Sequence, residues 1–143
     1  MALIQRAEVV TRGPVLIVGT GLIGTSIALA LRGSGVAVYL WDASPTSLAL
    51  AGDMGAGIPV SHGFQAFSKV AKGGEGLVIV AAPPDVSGGI VSTCLREFPG
   101  VVVTDVASVK EAVVGDVLAS WAVSESDEAG APDVAGLRKS DLA

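Results

Sequence analysis

Residues 15–24 read Val-Leu-Ile-Val-Gly-Thr-Gly-Leu-Ile-Gly. Four apolar residues, Val15 to Val18, stand directly before glycines spaced Gly-x-Gly-x-x-Gly. A short, wholly apolar run of this kind suits a strand covered on both faces, as in a parallel sheet. Beyond the glycines, Ile23, Ile27 and Leu31 recur at i, i+4 and i+8, which predicts one buried face of a helix over Leu22–Arg32. Gly33-Ser34-Gly35 stops that helix.

The same alternation continues outward. Val36–Trp41 predicts a second strand. Ser44-Pro45 reads as an N-cap followed by proline at the first helical position, with helix to about Gly52. Ile58–Ser61 is a short third strand. Phe64, Phe67 and Ala71 have helical spacing and Gly73-Gly74 ends that segment. Leu77–Ala81 is the fourth strand, closed by Pro83-Pro84, and Ile90, Cys94 and Leu95 fit a helix ending near Phe98-Pro99-Gly100. Val101–Val103 predicts a fifth strand reaching Asp105. Ser108 opens a last helix with Val109, Val113, Val117 and Leu118 on one face. Strands alternating with helices imply right-handed βαβ units and an α/β, doubly wound parallel sheet in the order 3-2-1-4-5.

Composition agrees with a single packed unit. The chain has 143 residues, 50% hydrophobic, 4% aromatic and 16% charged, with mean hydropathy +0.64. That length suits one domain with an aliphatic core. We assign residues 1–119 to it. Residues 1–110 carry seven acids and seven bases, whereas 111–143 carry seven acids and two bases, so the net charge of −5 belongs to the last 33 residues. From 120 onward the apolar period is lost, which predicts an acidic, flexible tail over 120–143. No basic patch points to nucleic acid. A single cysteine, Cys94, excludes an internal disulfide and a cysteine-built metal site, and no metal-ligand cluster is evident. Cys94 reads as a small buried hydrophobe. Pro14–Leu31 is 18 residues without a charge, close to a spanning length. Pro14, Gly19, Gly21 and Gly24 break it into strand and helix, so no membrane span is expected.

A Gly-x-Gly-x-x-Gly run that follows a strand, opens a helix and has an acid ending the next strand is the context of dinucleotide binding. Gly19, Thr20, Gly21, Leu22, Ile23 and Gly24 are the expected phosphate-side residues. Gly19 permits the tight turn, Gly21 lets the backbone approach the pyrophosphate, and Gly24 lets the helix pack on the strand. Free N–H groups at the helix start bind phosphate. Asp42 ends the second strand, 18 positions after Gly24. A carboxylate there accepts from ribose hydroxyls and repels a 2′-phosphate, and no arginine follows it, so NAD is favoured over NADP. Asp42 is also placed to cap the turn before Pro45.

The string Val18-Gly-Thr-Gly-Leu-Ile-Gly-Thr-Ser26, with Ala28 and Leu31, resembles the first βα turn of prephenate/arogenate dehydrogenases. Val80-Ala-Ala-Pro-Pro84 resembles the end of that family's fourth strand, and Thr104-Asp-Val-Ala-Ser-Val-Lys110 its Asp-Val-x-Ser-Val-Lys signature. The resemblance covers about residues 14–118. It implies a Rossmann-like NAD(P)-binding domain, and a cofactor set extended to Ala82, Pro83 and Asp105. It implies oxidative decarboxylation of prephenate in tyrosine biosynthesis, with an aromatic-pathway substrate. It also implies catalytic roles for Ser108 and Lys110. Read from the residues alone, Ser108-x-x-Glu111 is equally a capping box, and Asp105 equally a cap of the same turn.

The family's catalytic histidine lies in a His-Pro-Met-Ala-Gly motif that this sequence lacks; its one histidine, His62, follows the third strand on the adenosine side. The family's helical second domain is also missing. The expectation is therefore a truncated or diverged cofactor-binding half that is inactive alone. A non-catalytic NAD-binding module and another small-molecule dehydrogenase are the alternatives. An apolar, unguarded fifth strand at the sheet edge predicts self-association, and no targeting segment is read, which places the chain in the cytoplasm.

Overall fold

In a computed structural model, the structure describes residues 13–60, 64–71, 75–108 and 110–122. Its elements run β1 (Val15–Val18), α1 (Leu22–Gly33), β2 (Val38–Trp41), α2 (Pro45–Asp53), β3 (Ile58–Pro59), α3 (Gln65–Val70), β4 (Leu77–Val80), α4 (Pro84–Glu97), β5 (Val102–Asp105) and α5 (Lys110–Ala122). The five strands form one sheet in the order β3-β2-β1-β4-β5. Every pairing is parallel. The doubly wound fold expected from the alternation is the one observed.

The sheet is covered on both faces because each strand alternates its side chains between them. Val15, Ile17, Val38, Leu40 and Ile79 face α1 and α2, where Ala28 and Ala51 fill the contact. Leu16, Val18, Val78 and Val80 face α3, α4 and α5, packing on Phe67, Val91, Cys94, Val113 and Val117. All four residues of β1 are fully buried, as a central strand with two neighbours must be. Aromatic residues are few but concentrated. Phe67 meets Phe98 edge-on at 5.2 Å and Tyr39 at 6.0 Å, while Phe64 meets Phe98 at 5.6 Å and Trp41 at 5.3 Å.

Three local expectations are corrected. β2 begins at Val38, not Val36, and just before it the Ala37 carbonyl accepts from Val15 N. The buried face of α1 is Gly24, Thr25 and Ala28, while Ile23 is 59% exposed and Ile27 and Leu31 are half-buried. Small residues sit against the sheet because α1 approaches it too closely for an isoleucine. α5 begins at Lys110, and Leu118 on it is exposed, whereas Val113 and Val117 are buried in the core. Pro83 and Pro84 do more than close β4: Pro83 is the N-cap and Pro84 the first residue of α4, where a missing N–H costs nothing. The Ser44 cap of α2 is as expected, with Ser44 Oγ accepting from Ser47 N at 3.3 Å. Ser61, His62, Gly73, Gly74, Val109 and residues 123–143 lie outside the described residues, as does most of the segment read as a tail.

Cys94 is fully buried. Burial, aided by the nearby Glu97 charge, pushes its thiol up from 9.0 to about 12. The native thiol should therefore resist alkylation at pH 8 and react only as fast as the chain unfolds, which labelling with and without denaturant measures. The unfolded chain loses this proton near pH 9 while the folded chain keeps it, so stability should fall as pH rises from 9 toward 12.

Candidate functional site

Strand register sets the site. Val18 pairs with Trp41 on one side and Val80 on the other, and Val80 pairs with Asp105. These four residues form one row at the carboxyl edge of the sheet. Between β1 and β4 the strand order reverses, and a crevice at the carboxyl ends of such a switch point is where open α/β sheets bind ligands.

The glycine run turns out of β1 into α1 there. Gly19 has φ +104°, in the left-handed region, and a Cβ on it would lie 2.6 Å from the Ala81 carbonyl oxygen. A Cβ on Gly24 would lie 1.9 Å from the Gly19 carbonyl oxygen. Gly21 differs: it is the N-cap of α1 at φ −73°, and a Cβ on it would meet nothing within 4 Å. Two of the glycines are thus required by the protein's own packing, while the third leaves open space. No side chain caps α1. Its first N–H groups, those of Leu22, Ile23 and Gly24, have no intrahelical partner, and the Leu22 and Ile23 side chains stand in solvent at 87% and 59% exposure. The positive end of the helix dipole adds to that set of donors.

Thr20 and Asp42 meet, although 22 positions apart. Asp42 Oδ2 accepts from Thr20 N at 2.7 Å and from Thr20 Oγ1 at 3.0 Å, and Asp42 Oδ1 accepts from Ser44 N at 2.7 Å. Asp42 therefore does cap the turn before Pro45, and its carboxylate ties the glycine loop to the end of β2.

Beside this edge lies an open groove of about 610 Å³, lined by Trp41, Phe64, Asp85, Val86, Gly89, Ile90 and Thr93. Two of its lining rings, Phe64 and Trp41, pack on each other with centroids 5.3 Å apart. Sequence reading did not find this groove. Its walls come from β2, the residue before α3, and α4, and nothing in local spacing joins them.

The β5 end is organised around Asp105. Its Oδ1 accepts from Ala107 N at 2.9 Å, and Lys110 Nζ donates to Asp105 Oδ1 at 2.5 Å and to the Asp105 carbonyl at 3.1 Å. Lys110 is thus tied to the cap of its own turn. Ser108 is exposed and makes no hydrogen bond among the described residues, so the capping box with Glu111 is not formed. Ala82 is half-buried, with its carbonyl accepting from Ser87 Oγ at 3.0 Å, and Pro83 is exposed. Among the described residues no group of three or more histidine, cysteine, aspartate or glutamate side chains could hold a metal. No helix there is long and apolar enough to cross a membrane.

A family profile described as the nucleotide-binding domain of prephenate dehydrogenase matches residues 27–140. The chain belongs to this family. The matched span continues through the acidic segment to residue 140. Over 42 residues the chain is 60% identical to the Streptomyces niveus protein named probable prephenate dehydrogenase NovF, a stretch covering 29% of this chain and 12% of that one. A Corynebacterium glutamicum protein assigned as a prephenate dehydrogenase superposes with TM-score 0.64 and 28% identity, over 76% of this chain and 34% of that one. The Synechocystis arogenate dehydrogenase, at 23% identity and TM-score 0.62, covers 76% of this chain and 37% of its own. The TrkA-N domain of an Escherichia coli inner membrane protein, at 16% identity and TM-score 0.56, shares the fold over 81% and 97%. The chain therefore spans about a third of the length of the dehydrogenase structures it matches.

Proposed function

We propose that this prephenate dehydrogenase-family domain binds NAD and serves the oxidative decarboxylation of prephenate. The observation that carries the reading is the contrast among the three glycines, which lies in residues 19–24, outside the family match at 27–140. A loop that merely tolerated glycine would have no reason to leave Gly21 open while filling the space at Gly19 and Gly24.

The residues present fit a dinucleotide. The N–H groups of Leu22, Ile23 and Gly24 would hold the pyrophosphate, as helix starts do. Asp42 retains acceptor capacity for a ribose hydroxyl, and its charge opposes a 2′-phosphate, which supports NAD over NADP. Trp41, Phe64, Val86 and Ile90 offer apolar surface for a flat base at the correct end of β2. When bound, the nicotinamide supplies the hydride acceptor of a dehydrogenation. Ser108, exposed at the β5 end, is free to meet substrate, whereas Lys110 acts through Asp105 by holding that turn. No His-Pro-Met-Ala-Gly motif occurs in the 143 residues, so rapid chemistry is not expected of them alone. Loss of acid–base assistance typically lowers rates by ~10²–10⁴.

NAD should raise the melting temperature of residues 1–143, since a ligand of the folded state stabilises it. Asp42→Ser should weaken NAD about ten-fold, with a smaller loss for NADP, because the carboxylate both accepts and repels. Titrations of both dinucleotides against both proteins make the comparison. No thermal shift with NAD, or wild-type NAD affinity in Asp42→Ser, would count against the reading. So would turnover of prephenate by these residues at rates usual for a dehydrogenase, because they hold no His-Pro-Met-Ala-Gly motif.

A further inference from the structure

The clasp between Thr20 and Asp42 is more than a loop tie. A carboxylate has about four acceptor positions, two on each oxygen. Both positions on Asp42 Oδ2 are filled by Thr20, through N and Oγ1, while Oδ1 takes a single bond from Ser44 N. The spare acceptor is therefore on Oδ1. Thr20 is itself fixed from the other side, since its carbonyl accepts from Thr25 Oγ1 at 3.0 Å. Thr20 and Thr25 are both buried. A continuous run of hydrogen bonds thus leads from α1 through Thr20 to Asp42 and on to Ser44, the cap of α2.

We infer that Thr20 is a positioning residue that sets cofactor specificity: it pins the Asp42 carboxylate in one rotamer, with Oδ2 turned inward and Oδ1 left for a ribose hydroxyl. The inference rests on the dinucleotide reading above. An unclasped aspartate at a strand end can move among staggered rotamers. It could then swing its charge away from an incoming 2′-phosphate and let NADP in. A clasped aspartate holds the charge in place, so discrimination belongs to Thr20 as well as to Asp42. Thr20, placed inside the glycine run, then acts on the ligand through Asp42, its own N–H and hydroxyl being already engaged.

The test uses the 143-residue chain, NAD and NADP titrated separately, and the variants Thr20→Val and Thr20→Ser. Valine keeps the shape and removes the hydroxyl. Serine keeps the hydroxyl. Thr20→Val should lower the NAD/NADP affinity ratio about ten-fold, equal to about 1.4 kcal/mol, and Thr20→Ser should restore it to within about two-fold. A loss of packing alone would not move that ratio. An unchanged ratio in Thr20→Val, or an equal loss in Thr20→Ser, overturns the inference while leaving the NAD reading intact. Failure of the unsubstituted chain to bind either dinucleotide overturns both. The clasp is also read without any cofactor: Asp42→Ala should speed hydrogen exchange at the Thr20 amide about ten-fold, and unchanged exchange overturns it.

Discussion

Gly24→Ala should abolish dinucleotide binding and lower folding stability by about 2–4 kcal/mol, the range of a forced backbone clash. The added methyl carbon would stand 1.9 Å from the Gly19 carbonyl oxygen and 3.2 Å from Ala81 Cβ. The close obstacle is backbone, so α1 must lift off β1, and the N–H donors of Leu22 and Ile23 move with it. Gly21→Ala is the matched control. Its added carbon meets nothing within 4 Å and φ −73° suits any residue. The free protein should therefore keep its stability within about 0.5 kcal/mol, while the methyl group occupies the space left for the ligand. Denaturant titration and NAD binding on the pair separate fold from site. Equal stability in the two variants would contradict the close-packing account of Gly24.

Phe67→Ala should cost about 3–5 kcal/mol, the usual range for deleting a large buried ring. Phe67 is the largest fully buried side chain among the described residues, and it is the joint between Tyr39 on β2 and Phe98 after α4. Edge-to-face contacts of this kind add about 0.5–1.5 kcal/mol each beyond area. Against a total of about 5–15 kcal/mol for a domain, that loss removes a large share of the folding stability. The unfolding midpoint in guanidinium reports it, and a loss below about 1 kcal/mol would mean that the neighbouring rings close over the gap.

The central strands were legible because β1 and β4 are unbroken apolar runs, and those runs lie at the buried middle of the sheet. The glycine turn was legible for the same local reason. Where a decisive feature is non-local, spacing failed. The buried face of α1 was misjudged by reading its isoleucines, because Gly24 carries no hydrophobic signal and yet makes the closest contact. The bond from Thr20 to Asp42 spans 22 positions, and no pattern links the two. The groove of Trp41, Phe64, Val86 and Ile90 draws on three separate stretches, so it exists only once the sheet has formed. Ser108 and Asp105 were each open between a cap and a functional role. The structure gives the cap to Asp105, whose Oδ1 accepts from Ala107 N, and leaves Ser108 exposed.

The position of β1 at the middle of the sheet has a consequence for how the chain is made. β1 pairs with β2 after a single helix, but its other neighbour, β4, follows about sixty residues later. On the ribosome the first βαβ unit emerges with one whole edge of its most apolar strand bare, and it stays so until residue 80 is out. Distant pairings of this kind are slow to close, and unpaired edges invite the wrong neighbour. The strand that anchors the finished domain is thus its most vulnerable part during synthesis.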